Sequence, residues 1–138
     1  MPALHIAITT GSRTPIYRQI VDQVRLAVAT ESVPAGYPMP SVRTLAEQLL
    51  INTNTVVKAY AELVRDGVLE SHQGKGFFVA EKRQVYSRSE RLRRMQQALD
   101  AFVNEAVFLN FSAEEILKAV AEKLQDLESQ LKPVRERA

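Results

Sequence analysis

PSVRTLAEQLLINTNTVVKAYAELVRDGVLESHQGKGFFV, running from Pro40 to Val79, holds the order of elements that decides how this chain folds. Ser41 can N-cap a helix whose inward face is Val42, Leu45, Ala46 and Leu49. Leu50 and Ile51 fall at a turn, and Asn52 caps a further helix with Val56, Val57, Tyr60, Leu63 and Val64 apolar. Asp66-Gly67 stops it, because glycine accepts the left-handed conformation that follows a helix. Val68–Ser71 and Phe77–Val79 then read as two short strands, joined by Gln73-Gly74-Lys75-Gly76. Helix, turn, helix and hairpin in that order spell a winged helix-turn-helix, a shape used to grip duplex DNA.

Upstream, Leu4, Ile6 and Ile8 alternate with His5 and Ala7, a period-two pattern that predicts a short strand. Thr14-Pro15 suits an N-cap followed by a first helical position. Ile16, Ile20, Val24 and Ala27 recur at helical spacing, so a first helix is expected to about Thr30. Val33 to Pro40 contains three prolines and Gly36 and is expected to be a stiff loop. These pieces make one small winged-helix domain over residues 1–80.

Downstream the character changes. Residues 81–94 form a basic connector that turns helical near Ser87 to Ser89; it carries Lys82, Arg83, Arg88, Arg91, Arg93 and Arg94. Such a stretch is either a solvated helix face or a basic patch near a DNA backbone. Leu92, Met95, Leu99, Phe102, Ala106 and Leu109 follow at intervals of three and four, as do Leu117, Val120, Leu124, Leu127 and Leu131. A mean spacing of about 3.5 is the mark of helices packed lengthwise on a partner. Ser112 and Glu115 form a capping box between the two helices, with Phe111 and Ile116 placed for its hydrophobic staple. Two helices alone cannot bury Val103, Val107, Phe108 and Ile116 as well as both seams. They either fold onto the first domain or pair with a second copy; the second is expected, making residues 95–138 a helical dimerisation region. The fold class is mainly α with a small β wing.

Composition restricts the chemistry. The 138 residues include no cysteine and only two histidines, His5 and His72, which leaves no disulfide and no structural metal site. No Ser-His-Asp set, phosphate-binding glycine loop or pair of catalytic carboxylates can be assembled, so no enzyme and no cofactor is expected. No apolar run approaches the ~20 residues of a membrane span, and no signal peptide opens the chain, so a cytoplasmic protein is expected. The net charge of +2 is only mildly basic. Any DNA affinity must come from where the cations sit.

The helix that opens at Asn52 would enter a major groove by its N-terminal end. Thr53, Asn54 and Thr55 there are small and polar, able to meet base edges or phosphates; Asn52 and Thr55 can also serve simply as caps. Lys58 lies one turn on, within reach of a phosphate or a guanine edge. Arg43 in the first turn of the preceding helix suits a phosphate, with the Ser41 hydroxyl or N–H beside it. Gly74-Lys75-Gly76 at the hairpin tip can lie in a minor groove or along a phosphate ridge, since glycines allow close approach.

Four motifs in this order resemble the GntR family of bacterial transcription regulators. They are Thr14-Pro15-Ile16-Tyr17-Arg18-Gln19-Ile20, Pro40-Ser41-Val42-Arg43-Thr44-Leu45-Ala46, Asn54-Thr55-Val56-Val57-Lys58-Ala59-Tyr60, and Gln73-Gly74-Lys75-Gly76-Phe77-Phe78-Val79 with Gly67 before it. The short helical tail is similar to that of the YtrA-type branch. The resemblance implies a homodimer on an inverted-repeat operator, frequent control of transporter operons, and DNA contacts at Arg43, Thr53, Asn54, Thr55, Lys58, Gly74, Lys75 and Gly76. Leu50 departs from the glycine usual in the turn, so it is either buried or the turn is tightened differently. Thr53 departs from a usual Pro or Arg. Phe77 replaces a usual Thr, which removes a phosphate contact, and Met39 replaces Leu.

Two other readings bear on function. A winged helix that has lost DNA binding and serves protein interaction would show neutral or acidic residues where Arg43, Lys58 and Lys75 stand. A small-molecule effector could sit among Met95, Phe102, Phe108 and Phe111, although a stripe of this kind is ordinarily plain core.

Overall fold

The computed structural model describes residues 4–81 and 85–137, with side chains described as far as Glu128. Lys82 and Arg83 of the basic connector, and the side chain of Leu131 in the second seam, lie outside the described residues. The order is α1 (Ile16–Ala29), α2 (Val42–Leu49), α3 (Thr53–Arg65), β1 (Leu69–His72), β2 (Gly76–Val79), α4 (Arg88–Phe108) and α5 (Ala113–Arg137). Two compact units result, Met1–Val85 and Tyr86–Ala138.

The first unit is built around α3. Val56, Ala59, Tyr60 and Leu63 are wholly buried against Ile20, Val21 and Val24 of α1 and Leu45 and Ala46 of α2. Leu69 of β1 and Val79 of β2 close the core at the wing. The two strands pair antiparallel from Leu69 opposite Val79 to His72 opposite Gly76. Both strands run one residue nearer the tip than the sequence pattern suggests.

Helix boundaries follow local chemistry. Ser41 Oγ accepts from Thr44 N at 3.0 Å, and Asn52 Oδ1 accepts from Asn54 N at 2.8 Å, each capping its helix as expected. The expected cap at Thr14 is displaced: Pro15 takes the cap position with ψ of 150° and no side-chain bond. The Thr14 carbonyl instead accepts from Gln19 Nε2 at 2.9 Å. At the C-terminal ends, Glu31, Leu50, Gly67 and Asn110 all have positive φ, and each is followed by an amide that reaches back five residues. Gly67 is required twice over, because an added Cβ would meet Val85 Cγ1 at 2.7 Å.

Two features of the first unit differ from the sequence pattern. Leu4, Ile6 and Ile8 pack on the core, but no strand forms there among the described residues. No neighbouring strand is offered; side chains of α1 take its place. Ala7 N donates to Gln23 Oε1 at 2.9 Å while Gln23 Nε2 donates to Ala7 O at 2.6 Å. Thr9 makes the same exchange with Gln19, at 2.8 and 3.1 Å. A carboxamide presents one donor and one acceptor side by side, as a peptide unit does, so the two glutamines imitate a ladder partner. The second difference is that the proline loop joins the wing. Val79 N donates to Tyr37 O and Met39 N to Phe77 O, both at 2.9 Å, with Pro38 bridged opposite Phe78. Pro38 is tolerated because both bonds belong to its neighbours.

In the second unit Ser87 caps α4 through Glu90 N at 3.2 Å, and Ser112 caps α5 through Glu115 N at 3.1 Å. Ser112 Oγ also donates to Glu115 Oε1 at 3.2 Å. Among the described side chains of this unit only Ala106 is buried.

Candidate nucleic-acid interface

The outward face of α3 is set by what the core takes. With Val56, Ala59, Tyr60 and Leu63 inward, Thr53, Asn54, Val57, Lys58 and Ala61 are left exposed along one side. That side carries no acid, so it can approach a polyanion without like-charge repulsion. Asn52 does the capping, and among the described residues the Asn54 side-chain amide has no intramolecular partner. Thr55 is half-buried, which places it less openly than Thr53 and Asn54. Val57 is half exposed and was not singled out from the sequence, where it reads as one more apolar residue of the helix. Its position one turn after Thr53 is the signal that could have found it, since an apolar side chain there matches a thymine methyl.

Lys58 is exposed but not free. Its Nζ lies 3.9 Å from the centroid of the Tyr17 ring of α1, a cation–π contact that restricts the side chain. The next turn is tied down harder. Arg18 forks onto Glu62 with bonds of 2.6 and 3.1 Å, and Arg65 approaches the same carboxylate at 3.6 Å. Fork-on-carboxylate pairing between α1 and α3 fixes the rotation of the exposed helix face.

Arg43 in the first turn of α2 is open to solvent and pairs loosely with Glu47 at 3.3 Å. An exposed i,i+4 pair of this kind is easily exchanged for a phosphate. The Ser41 hydroxyl is occupied, donating to Thr44 Oγ1 at 2.8 Å while it accepts from Thr44 N, so Ser41 has its backbone N–H to offer.

At the wing tip, Lys75 N donates to His72 O at 2.9 Å, which closes the turn. Gly74 and Gly76 have φ of 76° and 107°, and a Cβ on either would meet nothing within 4 Å. Conformation, rather than crowding, calls for glycine there. Lys75 stands exposed between them. Phe77, where a phosphate-binding hydroxyl was expected to be lost, faces inward: its ring meets the edge of Tyr60 at 4.9 Å. Tyr60 is fully buried, and its hydroxyl donates to Pro40 O at 2.7 Å.

The residues expected to mediate dimerisation all lie in the second unit. Leu92, Met95, Leu99, Phe102 and Leu109 on α4 are exposed, as are Leu117, Val120 and Leu124 on α5, and Leu127 is half-buried. Near the junction Phe102, Ala106, Leu109, Phe111, Ile116 and Ala119 line an open apolar groove of about 470 Å³. Met95 and Phe108 do not line it, so the aromatic cluster expected from the sequence is only partly assembled. No described helix is long and apolar enough to cross a membrane.

Comparison with known proteins agrees with this geometry. Residues 16–79 match the family described as bacterial regulatory proteins, gntR family. The chain is 34% identical to the uncharacterized HTH-type transcriptional regulator YhcF of Bacillus subtilis, over 79% of this chain and 89% of that protein. It is 30% identical to the HTH-type transcriptional repressor YtrA of the same organism, over 88% and 94% of the two chains. Among solved structures, a transcriptional antiterminator from Listeria monocytogenes EGD-e superimposes with a TM-score of 0.79 at 34% identity, covering 92% and 94% of the two chains.

Proposed function

The chain belongs to the GntR family of bacterial regulatory proteins, DNA-binding transcription regulators, and from that premise we propose that it is a cytoplasmic homodimeric repressor on an inverted-repeat operator. The observation that carries the dimer is the second unit's lack of a core. Only Ala106 is buried there among the described side chains, while Leu92, Met95, Leu99, Leu117 and Leu124 are 46–70% exposed. Apolar stripes of this length are not left in water on a stable monomer, and a second copy with the same stripes covers them by symmetry. The groove at Phe102 and Phe111 continues the seam, so the same partner fills it, with no effector required.

On this reading Thr53 and Asn54 meet base edges in the major groove, with Val57 against a thymine methyl. Lys58, Arg43 and the Ser41 N–H take phosphates, and Gly74-Lys75-Gly76 lies on the minor groove. A single module with so few base contacts discriminates weakly; two modules on one site multiply their discrimination and require half-sites in inverted repeat. The resemblance to the family favours a transporter operon as target.

Sedimentation of the full chain with Leu99→Asp tests the dimer. A monomer that keeps its helical content but has lost operator binding is the expected result. A wild-type chain that sediments as a monomer at micromolar concentration while still binding a half-site tightly overturns it.

A further inference from the structure

Arg88-Ser89-Glu90-Arg91-Leu92-Arg93-Arg94 opens α4 with four arginines and one carboxylate. Cations at a helix N-terminus face the positive end of the helix dipole, so this start is electrostatically unfavourable for the helix itself. Glu90 relieves part of it. Its carboxylate accepts from Arg93 at 2.7 and 2.9 Å and from Arg94 at 3.1 Å. Those two arginines hold the Glu90 carboxyl down at about 2, so it stays ionised at any working pH. Arg94 is further engaged, its guanidinium 3.9 Å from the centroid of the Tyr86 ring.

Arg88 and Arg91 receive no such relief. Both are exposed, and among the described residues neither has an ion pair or hydrogen bond. They lie three apart, on one side of the helix, and no acid stands three or four residues from either. Two uncompensated cations kept where the helix disfavours them break a local rule without a local gain, which points to a partner that supplies the negative charge.

We propose that Arg88 and Arg91 of each copy bind the sugar–phosphate backbone of duplex DNA outside the base pairs read by α3, extending the footprint into the operator's flanks. The proposal rests on the operator-binding reading above. The chain's connectivity supports DNA as partner: Arg88 follows Val85, the last residue of the DNA-binding unit, by three positions.

The test compares two duplexes, the inverted repeat trimmed to its ends and the same repeat with random-sequence flanks, titrated with full-length protein over a range of salt. Wild type is expected to bind the flanked duplex about tenfold more tightly. Arg88→Ala/Arg91→Ala is expected to lose that preference on flanked DNA, with the salt slope reduced by about 3–4 for four phosphate contacts per dimer. Arg25→Ala on α1 removes an exposed cation with no assigned contact and is expected to behave as wild type. A double arginine variant that keeps the flank preference and the slope overturns the proposal, as does an equal loss in the Arg25 variant. A double arginine variant that sediments as a monomer also overturns it, by assigning the arginines to the second copy. Wild type that binds neither duplex removes the operator reading itself, a failure visible before any variant is made.

Discussion

The Tyr60 hydroxyl donates to the Pro40 carbonyl at 2.7 Å, so the middle of α3 is bonded to the residue that precedes the cap of α2. The same ring meets Phe77 of the wing edge-on at 4.9 Å. One buried side chain thus joins the three parts of the DNA-binding unit. Tyr60→Phe keeps the ring and leaves Pro40 O without its donor, which costs about 1–2 kcal/mol. Urea unfolding should show a lower midpoint at unchanged slope; an unchanged midpoint would remove the hydrogen bond from any structural role.

Burial also pushes the Tyr60 phenol far above its ordinary value of 10.0. The folded state therefore holds a proton that the unfolded chain releases in alkali. Stability from this source is complete below about pH 10 and declines as the pH rises beyond it. Tyr60→Phe removes the group, so its stability should fall less steeply above pH 10 than that of wild type in matched denaturant titrations.

Leu50 holds φ of 56° and ψ of 48° at the end of α2 while 91% exposed. A side chain there costs about 1–2 kcal/mol relative to glycine and gains almost no packing in return. Leu50→Gly should raise stability by about 1 kcal/mol once the greater freedom of the unfolded glycine chain is subtracted. A lower melting temperature for Leu50→Gly would mean that the leucine makes a contact absent from the single chain.

Glu62 receives both guanidinium nitrogens of Arg18 and is itself 15% exposed, against 34% for Arg18. Glu62→Gln should destabilise by about 1–2 kcal/mol, less than a fully buried pair would lose because the arginine retains water. A double-mutant cycle with Arg18→Met should return a coupling of about 1 kcal/mol; independence of the two sites would show that the pair is idle.

Arg43→Ala and Asn54→Ala should separate affinity from recognition. Loss of the Arg43 cation should weaken binding to every sequence and lower the salt slope by about two for a dimer. Loss of the Asn54 amide should cost about 1–3 kcal/mol on the preferred operator and far less on variants at one base pair of each half-site. Gel-shift titration across salt, paired with sequence selection, distinguishes the two patterns; interchangeable patterns would mean that Asn54 serves a phosphate.

Much of the fold was legible because it is written in bonds that span three or four residues. Ser41, Asn52, Ser87 and Ser112 cap the helices through amides two or three positions on, and that spacing is visible without any structure. The pattern erred where a partner came from elsewhere in the chain. Leu4, Ile6 and Ile8 alternate as a strand does, yet Gln19 and Gln23 hold the segment, and no periodicity announces a side chain that stands in for a backbone. The proline loop read as a mere connector because Pro38 has no N–H, although its neighbours Tyr37 and Met39 supply the bonds to β2. Leu50 is open to two readings from the sequence, burial or a differently tightened turn; it is almost fully exposed, and its own left-handed backbone makes the turn.

The candidate interface divides in the same way. The sequence alone determined the helix-turn-helix order, the glycines at the wing tip and the apolar seams of the tail, since each depends on residue type at short spacing. Tertiary structure alone decided that Val57 faces outward, that Lys58 rests on Tyr17, and that Phe77 turns in to Tyr60 rather than out. Those outcomes depend on which side of each element the shared core claims. That is a property of the packed unit as a whole, and no local stretch of chain carries it.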